Sequence, residues 1–528
     1  MSDTPASTHA PDADAMTALP NLSTRAITRC TILLLIVGLA ARLLRYALDF
    51  PIWGDEAMLA VNFAWLDYRQ LTQGLHLTQV APLLFVWGER TAYLWLGPDE
   101  YSLRLLPLLA GVGSLLLYWH LTRVLLPPLA RLFAVGFMAA AIWPVGMCNL
   151  IKPYSFDLLM ALALLVPAAH WLNQPQQRRW LILLTVITPI ALLGSYTAVL
   201  VAGAVSLALA RPVWRECRGT RAWFAAYNVA MIAGFLATSA VANGQLSTTT
   251  HGTSTEAGMA QYWNDNFPPA NPLSAVVWGI LQTLGQMTAY PAGSANGGSA
   301  ITVFLCIVGI IHWCRRGKGA LVMLLTAPIA LNLVAAILHR YPYGVGRLSQ
   351  HLAPGICLLA GLGLAVMIVH VIRPVRSKLH VTIGAVIVFL ALGVGLMVRD
   401  VVKPYRKPSY VWIRSTMEAI HRQVPADEPV IICGTTNSFE AVFVWHWSIE
   451  GSRVTWDEAL PPLEPTTRRV WAFHHGNKAD ECFRRVAAAL NERSEGWRIA
   501  SRTPYVFEGQ GHRDPPQRCE VISFERAP

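Results

Sequence analysis

Long apolar runs separated by short polar loops fill the chain up to about residue 398, and a polar, proline-punctuated stretch follows. A membrane helix needs about 20 mostly apolar residues. By that measure spans are expected at 27–48, 102–124, 131–150, 156–173, 221–243, 319–339, 349–372 and 379–398. A shorter run lies at 299–314, and the stretch 180–210 breaks at Gly194-Ser195 into two short spans. Residues 81–97 carry Glu89 and Arg90 in mid-run, and 273–290 is punctuated by Gln282, Gly285 and Gln286. Both read as surface or re-entrant helices, being short or polar for a full crossing.

Past Val398 the pattern changes to helical stretches (409–422, 438–447, 480–492) alternating with strand-like runs at 429–433, 469–473 and 520–524. Strands alternating with helices predict a small α/β domain over 399–528. Residues 1–24 are rich in Ala, Pro, Thr, Ser and Asp without periodicity and read as a disordered tail. The expected architecture is an α-helical polytopic membrane domain over 25–398 with that small domain appended.

Composition supports this division. The 528 residues are 54% hydrophobic and only 14% charged, against about 25% charged in ordinary soluble domains, and the mean hydropathy is +0.40. An all-soluble protein is excluded. The net charge of +11 does not point to nucleic acid, because much of the excess sits in short loops between apolar runs. With the amino terminus inside, Arg123/Arg131, Arg178/Arg179, Arg211/Arg215/Arg218/Arg221, Arg315/Arg316/Lys318 and Arg373/Arg376/Lys378 all fall on the cytoplasmic side, as the lysine and arginine bias of inner loops requires. That agreement sets about eleven spans and places the C-terminal domain outside the cytoplasm. The nine cysteines include no CxxC pair. Cys433, Cys482 and Cys519 lie in a compartment where disulfides form; the expectation is a Cys482–Cys519 bridge, with buried free thiols as the alternative.

Three outer loops carry the candidate chemistry. The first (DFPIWGDEAMLAVNFAWLDY) holds the adjacent acids Asp55 and Glu56 at the start of a helical stretch. They read either as charges favouring a helix amino end or as a general base at the membrane interface. The second, NLIKPYSFDLL, places Lys152 against the charge rule, beside Tyr154 and near Asp157. Lys152 and Asp157 suit an ion pair pinning two helices, and Lys152 with Tyr154 equally suits a phosphate site. The late loop HRYPYGVGRLSQHLAP contains His339, Arg340, Arg347 and His351, with Gly344 and Gly346 allowing close backbone approach. Arg347 reads as a bidentate phosphate ligand or, with its neighbours, as a snorkelling anchor. A histidine pair without carboxylates at defined spacing is a weak metal signal. No GxxxxGK phosphate loop and no GxGxxG after a strand occurs, so a soluble nucleotide donor is not indicated.

An acidic pair in the first outer loop, then APLLFVW, then EYSLRLLPLLAG opening a span, resembles the GT-C superfamily of lipid-phosphate-dependent membrane glycosyltransferases. That superfamily includes protein O-mannosyltransferases, aminoarabinose transferases and RgtA-like enzymes. IKPYSFDLLMALALL and YPYGVGRLSQHLAP are similar to its second-loop and late-loop motifs. The resemblance implies inverting transfer of a sugar from a polyprenyl-phosphate donor to a glycan, lipid or protein acceptor at the outer membrane face. It implies Asp55 as the catalytic acidic residue, Glu56 as alternative base or metal or orientation ligand, and Asp157 as the second-loop acid. Lys152, Tyr154, Arg347 and His351 would serve the donor phosphate. Arg104 would support the site, pairing with Asp99 or Glu100. No organic cofactor is implied, and there is room for a divalent metal, Mg or Mn. Gln79-Val80-Ala81-Pro82 departs from the basic or Pro-Pro pattern of the family. The family setting implies a bacterial inner membrane, with the C-terminal domain in the periplasm. A polytopic lipid or polysaccharide transporter is the rival reading, although no internal repeat of the kind transporters show is evident. A membrane-anchored scaffold is the third.

Overall fold

The computed structural model describes residues 23–216, 218–250, 253–292, 298–433, 439–449, 454–456, 463–464, 466–476, 479–507 and 517–526. Nearly all of the expected amino-terminal tail lies outside these. Among the described residues, eight helices are long and apolar enough to cross a membrane, and the shorter apolar helices Pro128–Ala139 and Ser299–Arg315 accompany them.

In chain order the helices are α1 (Thr24–Ala47), α2 (Gly54–Trp65), α3 (Leu83–Leu96), α4 (Glu100–Leu125), α5 (Pro128–Ala139) and α6 (Ile142–Met147). They continue with α7 (Tyr154–Asn173), α8 (Arg178–Gly194), α9 (Ala198–Glu216), α10 (Arg221–Leu246), α11 (Thr255–Tyr262) and α12 (Pro272–Gln282). The last membrane-domain helices are α13 (Gly298–Arg315), α14 (Gly319–Ile337), α15 (Ala353–Val366) and α16 (Val375–Val402). The break at Gly194-Ser195 falls where the sequence places it.

The run 131–150, by contrast, is not one span. Pro144 has no N–H to give the Ala140 carbonyl, so the helix stops. Ala141 turns extended, and the amide of Ile142 is satisfied by Pro291 O instead. Helix α15 lies at the centre of the bundle, buried nearly along its whole length. Small residues let neighbours approach it: a side chain at Gly361 would collide with the backbone of Ala134. Arg45 near the end of α1 pairs with Asp400 near the end of α16 at 2.8 Å, both side chains about 95% buried, which ties the first long helix to the last.

The C-terminal region has helices α17 (Val411–His421), α18 (Glu440–Ile449) and α19 (Ala479–Arg493) around a five-stranded sheet. Its strands are β1 (Val430–Cys433), β2 (Val454–Trp456), β3 (Arg469–His475), β4 (Trp497–Phe507) and β5 (Gln517–Arg526), in the order β2-β1-β3-β5-β4. β1 is parallel to β2 and β3, while β5 is antiparallel to β3 and β4. Side chains alternate between the faces with period two. Ile431, Cys433, Val470, Ala472, Ile522 and Phe524 meet α19, and Val430, Ile432, Trp471, Phe473, Cys519 and Val521 meet α17 and α18.

That alternation overturns the expected Cys482–Cys519 bridge. Cys482 on α19 is bonded to Cys433, with Cα atoms 6.0 Å apart. Cys519 points to the opposite face and is a buried free thiol. The second face of the sheet also shares one apolar core with α2, α3 and the chain between them. The domain is therefore packed onto the first loop through a common core.

Candidate active site

The candidate site is built from four separate stretches of chain. Pro51 and the extended Trp53 bring the backbone to the start of α2, which places Asp55 and Glu56 in its first turn. The two acids point to different partners. Asp55 Oδ1 lies 3.0 Å from Lys152 Nζ and its Oδ2 lies 3.1 Å from Arg347 Nη1. Burial raises the carboxyl pKa, but the two cations outweigh it and hold Asp55 below the ordinary value of 3.8. Asp55 is therefore a carboxylate at neutral pH, with its side chain one quarter exposed.

Glu56 is 1% exposed and faces the interior. Its Oε2 is 3.3 Å from Arg104 Nη2, and its Oε1 accepts the amide of Ile151 at 3.0 Å. It joins α2 to α4 and to the loop that carries Lys152. Arg104 does not pair with Asp99 or Glu100, as expected from the sequence. It binds Glu56, Asp49 at 3.4 Å, and the carbonyl of Phe50. Asp99 instead caps α4 through the Ser102 amide at 2.6 Å, and Glu100 pairs with Arg414 from the C-terminal domain.

Lys152 is nearly buried, and besides Asp55 it donates to Gln79 Oε1 at 2.6 Å. The expected alternative, an ion pair between Lys152 and Asp157, does not form. Asp157, one turn into α7, accepts from Ser195 Oγ at 2.5 Å, and Ser195 is 3.1 Å from the Thr197 hydroxyl. The break between α8 and α9 supplies those hydroxyls. Tyr154 is buried between these groups, in electrostatic range of Asp55, Arg347, Arg406 and Asp157. Tyr341 is in range of Asp157 and Tyr154.

Arg347 also donates to the hydroxyl of Tyr262 at 3.1 Å, and its guanidinium lies 5.1 Å from the ring centre of Trp263. Close approach there requires a glycine, since a side chain at Gly346 would strike Trp143. His351 is 1% exposed and packs edge-on to Tyr341. It is not among the groups that contact Asp55.

The structure thus joins Asp55, Lys152 and Arg347 directly, sets Tyr154 beside them, and gives Glu56 with Arg104, Asp157 and His351 their own surroundings. Among the described residues no three of His, Cys, Asp and Glu gather as a metal-binding group, and both oxygens of Asp55 already face cations. Sequence reasoning missed Gln79 as a lysine ligand, Ser195 as the partner of Asp157, Tyr262, and Arg406. Arg406 had a visible signal: the segment Lys403–Lys407 is basic just after a run that the sequence reading takes to end outside, where inner-loop bias predicts no excess.

No family model matches the chain, and no curated protein does. Solved structures do. ArnT from Cupriavidus metallidurans in the apo state aligns at a TM-score of 0.52 and 13% identity, covering 95% of this chain and 98% of that one. The same protein bound to undecaprenyl phosphate aligns at 0.52 and 12%, with the same coverage. An Archaeoglobus fulgidus oligosaccharyltransferase tethered to an acceptor peptide aligns more loosely, at 0.48 and 10%, covering 95% of this chain and 74% of that one. The chain therefore shares the fold of ArnT over nearly its full length.

Proposed function

We propose that this protein is a multi-pass membrane glycosyltransferase that moves a sugar from a polyprenyl-phosphate donor to an acceptor. On this reading the Asp55 end of the bundle faces the outside of a bacterial inner membrane and the amino terminus faces the cytoplasm. The observation that carries the proposal is the carboxylate of Asp55 held between Lys152 and Arg347. A base and two phosphate-binding cations, delivered by distant segments, meet on a fold shared with a structure that binds undecaprenyl phosphate.

The chemistry follows from those contacts. An ion-paired carboxylate is a poor base, because its lone pairs are engaged. An arriving phosphate competes for Lys152 and Arg347, both suited to it, and Asp55 is released to accept a proton. The acceptor oxygen or nitrogen then attacks the anomeric carbon and gives its proton to Asp55. The bond from that carbon to the phosphate oxygen breaks, and its electron pair leaves with the polyprenyl phosphate. Lys152 and Arg347 stabilise the growing charge in a site with little water, where such contacts are strongest. A single displacement of this kind inverts the anomeric configuration. Glu56, locked between Arg104 and Ile151, orients the loop. Asp157 acts from the wall through Tyr154 and Tyr341, which lie in its field.

The test is transfer by purified protein supplied with polyprenyl-phosphate sugars, reading released lipid phosphate by mass spectrometry. Asp55→Asn is expected to lose turnover by roughly 10²- to 10⁴-fold while still folding and eluting like the parent. Undiminished transfer by Asp55→Asn removes Asp55 as the base.

A further inference from the structure

The cations around Asp55 are more numerous than one carboxylate requires. Lys152 and Arg347 contact it directly, and Arg406 lies in its field. Glu56 faces Arg406 as well, but its oxygens already engage Arg104 and the Ile151 amide. Arg406 is half-buried, and among the described residues its guanidinium makes no ion pair and no hydrogen bond. It is held only by stacking, 4.9 Å from the ring centre of Trp53, with Lys407 5.1 Å from the same ring. Trp53 stands two residues before Asp55 and is 8% exposed. A guanidinium on an aromatic face keeps its N–H edge available. Arg406 lies in the field of Glu56, Arg45, Arg347 and Asp55, and Tyr154 lies in the field of Arg406.

The provenance of Arg406 matters as much as its place. It belongs to the segment between α16, which ends at Val402, and α17, which starts at Val411. α17 packs in the apolar core shared by the first loop and the sheet, through Trp412, Ile413, Met417 and Ile420. Arg414 on α17 binds Asp49 Oδ2 at 3.0 Å and also Glu100, fixing that helix over the ends of α1 and α4. Docking the C-terminal domain therefore delivers Arg406 to Trp53.

We propose that Arg406 is a third cation for the donor phosphate, carried into the site by the C-terminal domain, so that domain docking and donor binding are coupled. This rests on the donor reading above. The ligand class is a phosphate monoester or diester on a lipid chain. Its negative oxygens would share Lys152, Arg347 and Arg406, replacing the incomplete neutralisation that Asp55 alone provides.

The experiment measures binding of undecaprenyl phosphate to the full-length protein in detergent, for the parent, Arg406→Gln, Arg406→Lys and Arg315→Gln. The last removes a positive charge from the exposed opposite end of the bundle. Arg406→Gln is expected to raise the Kd by roughly tenfold or more, the scale of a lost hydrogen bond to a charged group. Arg406→Lys should fall between, having the charge without the planar fork, and Arg315→Gln should match the parent. Melting temperatures without ligand should agree across all four, which a merely structural role for Arg406 would not allow. Unchanged affinity in Arg406→Gln overturns this inference alone. Absence of binding by the parent overturns the donor reading and this inference with it. Should Arg406→Gln fail to fold, Arg406→Met keeps an apolar stem over Trp53 and is read by the same criteria.

Discussion

Two carboxyl groups of the chain show how surroundings decide charge. Asp55 is met by two cations and stays ionised below 3.8. Glu89 on α3 is fully buried, neither oxygen has a hydrogen-bond partner among the described residues, and burial raises its pKa well above 4.5. The consequences have opposite sign. For Asp55, the folded pKa is depressed, so its contribution to stability exists above about 3.8 and disappears as pH falls through the folded value. The acid limb of kcat/KM should accordingly lie below pH 3.8, checked by transfer rates across acidic buffers; a limb near neutrality would point to another base. For Glu89, the folded chain keeps a proton that the unfolded chain releases, so stability falls as pH rises beyond about 4.5. Glu89→Gln should flatten that decline, by at most about 1.4 kcal/mol per pH unit. Thermal melting in detergent from acid to neutral pH reads the difference, and parallel curves for parent and variant would mean that Glu89 is ionised in the fold.

At the scale of elements, alternation within strands governs covalent connectivity. Cys433 and Cys482 occupy the α19 side of the sheet, and the bond closes a chain separation of 49 residues. Loop-closure entropy gives such a bond about 4 kcal/mol. Cys433→Ser or Cys482→Ser should therefore lower the melting point of the C-terminal region clearly, while Cys519→Ser should leave the bond intact. Peptide mapping without reduction decides it, and a Cys482–Cys519 peptide would contradict the sheet register. Elements also show where apolar pattern falls short. Residues 132–148 are apolar throughout, yet Pro144 divides the run into α5 and α6, and Pro291 takes up the amide freed at Ile142. A hydropathy window registers apolar content and passes over a single missing N–H.

At the scale of the whole molecule, the first loop and the C-terminal domain meet in one shared core. Residues from α2, α3, α17, α18 and the sheet pack together, and Trp65 on α2 donates to Ser448 on α18 at 3.0 Å. Arg414 reinforces this from the rim. Arg414→Ala should loosen docking, making the segment around Lys403–Pro408 cleave faster in limited proteolysis and lowering transfer together with it. Cleavage faster than the parent with full transfer would separate docking from activity.

The sequence by itself determined most of the elements: the apolar runs, the alternating strands after Val398, the break at Gly194-Ser195, and the misplaced charges Lys152 and Arg347. These are local properties, since hydropathy and periodicity are set by neighbours a few positions away. Tertiary structure decided the partners. Lys152 chose Asp55 over Asp157, Arg104 chose Glu56 over Asp99 and Glu100, Cys482 chose Cys433 over Cys519, and Arg406 came to Trp53 from the far end of the chain. Each chosen partner stands scores or hundreds of residues away along the chain. Coulombic attraction and bond geometry act over a few ångströms of space, and the folding of helices between two residues is what brings them within that reach.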